Sequence, residues 1–64
     1  MNALQKIRKN KGFSQAELSS LVGVSQNTLA QWETGARKPN IIFLKKLAIK
    51  LNCTTDDLLK NIEV

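Results

Sequence analysis

Residues Ser14 to Gly35, SQAELSSLVGVSQNTLAQWETG, constrain the fold more than any other stretch, because they set out two short helices and a tight turn between them. Ser14 and Glu17 make the Ser-x-x-Glu pattern, in which each side chain accepts from the other's backbone N–H at a helix start. Leu18, Leu21 and Val22 then fall on one helical face. Gly23 follows at the place where a helix commonly ends in a left-handed residue. Val24 can turn inward, and Ser25 is a natural cap for a helix that runs to about Thr34 and stops at Gly35.

The flanks are punctuated in the same way. Ala3, Leu4 and Ile7 recur at helical spacing and predict a first helix from about Asn2 to Asn10, closed by Lys11 and Gly12. Ala36 to Pro39 is a connector, since Pro39 bars a helix through it, and Asn40 caps the next element. A fourth helix is expected over Ile41–Leu51, with Leu44, Leu47, Ala48 and Leu51 facing inward and Asn52 ending it. Thr54 begins a short fifth helix, with Asp57 in its first turn and Leu58, Leu59 and Ile62 along it. No segment alternates with the period of a strand. The expectation is a compact all-α fold of five helices and a single domain over residues 1–64. One core of this size stabilises a chain only marginally, so pairing would help.

Charge narrows the partners. Ten Lys and Arg stand against five Asp and Glu, a net +5. Lys6, Arg8, Lys9 and Lys11 form one acid-free stretch, and Arg37, Lys38, Lys45, Lys46 and Lys50 form another, whereas the tail carries Asp56, Asp57 and Glu63. A basic front suits a polyanion, although simple solubility accounts for the total equally well. Catalysis is not expected: there is no His, no metal-ligand cluster and no phosphate-cradling glycine loop. Asp56 and Asp57 are explained by the dipole of the helix they open. The lone Cys53 cannot form an internal disulfide and reads as a small core side chain. No apolar run follows the basic start, and none approaches membrane-spanning length. The expected protein is cytoplasmic, with no membrane, cofactor, metal or small-molecule ligand.

The third helix carries the most specific chemistry. On a helical wheel Gln26, Asn27, Ala30, Gln31 and Thr34 share one side, and Ser25, Thr28, Leu29 and Trp32 share the other. Ordinary solvated faces favour Lys and Glu. A slim face bearing uncharged amides suits the DNA major groove, where Gln and Asn can bond adenine N6 and N7 in pairs and Ala30 can touch a thymine methyl. Trp32 lies opposite and reads as core. Phe13 and Phe43 read as core or interface, and they make no stacking platform for single strands.

Ser14-Gln15-x-Glu17-Leu18, Gly23-Val24-Ser25, Thr28-Leu29 and Trp32-Glu33-x-Gly35-x-Arg37-x-Pro39 together resemble the phage repressor and Cro type of helix-turn-helix domain, the XRE family. The lead-in Ile7-Arg8-x-x-Lys11-Gly12 and the close Leu51-Asn52-Cys53-Thr54-x-x-x-Leu58-Leu59 extend the likeness over nearly the whole chain. The family usually has Ala where Ser19 stands; serine is small, and its hydroxyl can bond back to the helix carbonyl. The resemblance implies a phage-repressor-like fold whose third helix reads DNA, and a homodimer on a two-fold symmetric double-stranded operator.

It also implies residue roles. Gln26, Asn27 and Gln31 match base-contacting positions. Ser14 and Gln15 match phosphate contacts at a helix start. Ser25 and Thr28 match positions that touch phosphate or base, and Arg37 and Lys38 lie where the connector follows the DNA backbone. Glu33 would repel phosphates, and the family pattern pairs it with Arg8 in a partly buried ion pair. Dimer contacts are expected from apolar side chains left over by the core: Ile42, Phe43, Leu59, Ile62 and Val64. The expected function is transcriptional regulation, as a repressor. The alternative is a protein-interaction module or antitoxin-like partner that keeps the fold, with little or only autoregulatory DNA binding.

Overall fold

The computed structural model describes residues 3–59, which form five α-helices: α1 (Ala3–Asn10), α2 (Gln15–Val22), α3 (Gln26–Thr34), α4 (Ile41–Leu51) and α5 (Thr55–Leu59). Among the described residues there is no strand. The expected start of α1 at Asn2 and the position of Ile62 lie outside the described residues.

Local chemistry places each boundary. Ser14 caps α2 through a complete capping box: Glu17 N donates to Ser14 Oγ at 3.0 Å, and Ser14 N donates to Glu17 Oε1 at 2.8 Å. Gly23 ends α2 at φ 80°, and its N–H donates to the carbonyls of Ser19 and Ser20. Ser25 and Asn40 cap α3 and α4, accepting from Thr28 N and Phe43 N, each at 3.0 Å. Asn52 closes α4 in the left-handed conformation, which Asn tolerates better than most residues. Thr54 and Asp57 exchange bonds at the start of α5, at 3.0 and 3.2 Å.

Leu18, Leu29, Leu47, Leu51 and Leu58 are fully buried, with Leu4, Val22, Trp32, Leu44 and Ala48 around them. Ile7, Phe13, Val24, Phe43 and Cys53 close the edges of this core. Helix α2 packs on α3 and α4, α1 on α3 and α5, and α4 on α5. Helix α3 is thus braced by both α1 and α2.

One expected face is turned. Leu21 does not join Leu18 and Val22 inside; it is 46 % exposed, and Ser19 is buried in its place at 4 %. A small side chain lets α2 lie close to its neighbours, and Leu21, on the far side of Leu18 from Ser19, is carried outward. The Ser19 hydroxyl bonds the Ala16 carbonyl at 3.0 Å, so its burial leaves no donor stranded. On α5, Leu58 takes the inward position and Leu59 is 43 % exposed, as expected of a side chain left over by the core.

Candidate DNA interface

Gln26 and Asn27 open α3 and are exposed; Ala30 and Gln31 follow on the same side, half-buried. Among the described residues, no side-chain hydrogen bond within the molecule occupies these three amides. Leu29, Trp32 and Glu33 face the interior. The helix therefore has a packed side that fixes its position and an amide side open to solvent.

The caps decide which hydroxyls are available. Ser25 Oγ accepts from Thr28 N and donates to Thr28 Oγ1 at 2.8 Å. Ser25 Oγ is thus engaged by both the backbone and the side chain of Thr28. Ser14 Oγ accepts from Glu17 N, and the Ser14 backbone N–H is committed to Glu17. The backbone amides of Gln15 and Ala16 have no acceptor within the helix, as the first turn of any helix requires. They form the positive end of the α2 dipole.

The connector after α3 is pinned by α3 itself. Arg37 N donates to the Gln31 carbonyl at 3.2 Å, and Ala36 N donates to Thr34 Oγ1 at 3.4 Å. Gly35 makes this reversal at φ 86°. Arg37 and Lys38 are exposed just beyond it, placed beside the end of the amide face by backbone bonds and not by chance.

Glu33 is 2 % exposed and Arg8 7 %. Arg8 Nε donates to Glu33 Oε2 at 2.6 Å and Nη2 to Oε1 at 3.2 Å, while Nη1 donates to the Phe13 carbonyl at 2.8 Å. Gln15 Nε2 donates to Glu33 Oε1 at 3.0 Å. The carboxylate is thus withdrawn from the surface and held by α1 and α2 together. Sequence reasoning paired Glu33 with Arg8 but missed Gln15, whose partner stands 18 residues away; it also missed the Arg8–Phe13 bond. No sequence signal marks the Gln15 bond, because it forms only where the start of α2 meets the end of α3.

The apolar positions expected at a dimer contact divide. Ile42 is 63 % exposed, and Leu59 is partly so. Phe43 is half-buried, its ring 5.6 Å from that of Trp32 and under Lys46 Nζ at 5.4 Å, so only an edge is left for a partner. Ile62 and Val64 lie outside the described residues. Ile41 and Ile49, at 61 % and 75 % exposed, were not anticipated. Cys53 is half-buried, and burial, with Asp57 nearby, raises its thiol pKa despite the opposing charge of Lys11. It stays protonated at neutral pH.

The helix-turn-helix family model matches residues 4–58. The chain belongs to the XRE type of helix-turn-helix proteins. This is a family of DNA-binding transcriptional regulators, not of enzymes. Repressor protein C2 of Salmonella phage P22 is 42 % identical over 53 residues, covering 83 % of this chain and 24 % of that protein. The SPbeta prophage-derived HTH-type transcriptional regulator YonR of Bacillus subtilis is 35 % identical over 57 residues, covering 89 % of this chain and 53 % of that one. The chain spans about half the length, or less, of the curated relatives it matches. The crystal structure of SinR, the master regulator for biofilm formation, in complex with DNA superposes with a TM-score of 0.81 at 33 % identity, covering 89 % of this chain and 95 % of that one. No helix among the described residues is long and apolar enough to cross a membrane.

Proposed function

We propose that this XRE domain, residues 1–64 acting as one unit, binds double-stranded DNA sequence-specifically as a homodimer on a two-fold symmetric operator and represses transcription in the cytoplasm. The observation that carries the reading is the set of unoccupied amides of Gln26, Asn27 and Gln31 on a helix whose other side is locked into the core. Unbonded amides on a rigid helix are ready to exchange water for base edges without reorganisation. Around them stand the free N-terminal amides of α2 with Ser14 and Gln15, the hydroxyls of Ser25 and Thr28, and the connector cations Arg37 and Lys38, all suited to phosphate. A related structure is described as a complex with DNA, and a 42 % identical relative is named a repressor.

Repression requires only that an occupied operator overlap a promoter. A relative named as an activator, BcrR of Enterococcus faecalis, is 33 % identical, covering 95 % of this chain and 30 % of that protein. Operator position therefore decides the sign of regulation. A gel shift against random genomic fragments tests DNA binding itself. Retention that is sequence-selective and weakens steeply with salt supports the reading. No retention supports instead the antitoxin-like module, for which the exposed Ile41, Ile42 and Ile49 offer a protein-facing surface.

A further inference from the structure

Gln15 does more than a residue at a helix start needs to do. It sits in the first turn of α2, at the end that faces phosphate in the reading above, yet its side chain reaches Glu33 in the last turn of α3. The two carboxylate oxygens of Glu33 are held unequally. Oε2 is fixed by Arg8 Nε at 2.6 Å, whereas Oε1 has Gln15 Nε2 at 3.0 Å and Arg8 Nη2 only at 3.2 Å. Without Gln15, Oε1 keeps only the longer bond from Arg8 Nη2, and α2 loses its hold on the Glu33 carboxylate. Gln15 is also only half-buried, at the edge of the protein surface.

We propose that Gln15 is a specificity-determining positioning residue: its amide bridges the start of α2 to the Glu33 carboxylate and so sets the orientation of the base-reading helix. The inference rests on the proposed DNA-reading role of α3 and deepens it. A group that merely touches phosphate contributes equally on every sequence. A group that also orients α3 contributes most where the bases match, because paired amide–base bonds demand close alignment. Gln15 therefore governs discrimination as well as affinity.

The experiment compares the wild-type chain with Gln15→Met and Gln15→Glu. Binding is measured to the duplex that the wild type enriches from a random pool, and to the same duplex with its half-sites scrambled, at fixed salt. Gln15→Met should lower the ratio of the two affinities about tenfold, the scale of one hydrogen bond to a charged group. Its salt dependence should stay unchanged, because a neutral side chain releases no counterion. Gln15→Glu keeps the shape but sets acceptor against acceptor, and should lower the ratio further. Should Gln15→Met not fold, Gln15→Asn, which draws the amide back by one methylene, gives the same readout. An equal loss on both duplexes overturns the inference and leaves Gln15 as a phosphate contact only. If the wild type enriches no sequence, the DNA-reading role fails, and this inference fails with it.

Discussion

Glu33 is the residue that ties α3 to both α1 and α2. Its charge is buried and accepts three N–H bonds, two from Arg8 and one from Gln15. Removing one member of a buried pair strands the other charge, so Glu33→Ala should lower the unfolding free energy by about 3–5 kcal/mol in urea titration. Arg8→Met combined with Glu33→Leu should recover much of that loss, since apolar pairs often replace buried ion pairs at little cost. A loss below about 0.5 kcal/mol for Glu33→Ala would reduce the pair to a surface contact. On the DNA side, Gln26→Ala or Gln31→Ala should each cost about 1–3 kcal/mol of operator binding and relax preference at one base position. Lys38→Ala should weaken every sequence alike and reduce the salt slope by about one unit; a change in base preference for this variant would assign Lys38 to the bases instead. The amide face was legible in the sequence because helical spacing alone collects Gln26, Asn27 and Gln31. The bond from Gln15 was not legible: it depends on where the start of one helix meets the end of another.

Element boundaries were readable residue by residue, because the caps act within four residues of themselves. Ser14, Ser25, Asn40 and Thr54 each accept the N–H three positions on. Helix rotation was harder to read. Leu18, Leu21 and Val22 fit one face by spacing, but the close packing of α2 admits Ser19 and turns Leu21 outward. Stability measurements separate the two leucines. Leu18→Ala should cost about 2–5 kcal/mol, whereas Leu21→Gln should stay within about 0.5 kcal/mol; similar costs would place Leu21 in the core after all. The turn between α2 and α3 has its own signature. A Cβ added at Gly23 meets nothing within 4 Å, so Gly23→Ala should cost only the strain of the left-handed backbone, about 1–2 kcal/mol. Gly23→Asn should cost less, by thermal unfolding, because Asn visits that region more readily. Equal losses for Ala and Asn would point to a packing cost in place of backbone strain.

At the scale of the whole molecule, size and charge set how two copies could share an operator. The body measures 28 × 23 × 21 Å. Two copies therefore fit side by side on one face of a duplex, with reading helices about 34 Å apart, one helical turn. A net +5 makes bare protomers repel, so the proposed dimer would pair more readily on DNA than in free solution. Self-association should accordingly be weak in free solution and strong on an operator. Sedimentation should show mainly monomer at micromolar concentration and a two-to-one complex with operator DNA; a one-to-one complex at saturation would exclude the dimer. Ile41, Ile42, Ile49 and Leu59 are exposed apolar groups that the proposed dimer could use for that contact. The sequence pointed to surplus apolar side chains but could not rank them, since exposure is settled only when α4 docks.

Base reading by the amide face of α3 in a symmetric site is the proposal that most needs a test. Selection of duplexes from a random pool by the wild-type chain, repeated with Gln26→Ala, tests it most directly. The wild type should enrich a sequence made of two inverted half-sites one helical turn apart, with one position in each half-site losing its preference in the variant. Enrichment of no sequence, or of the same sequence with undiminished preference at every position by Gln26→Ala, would contradict it.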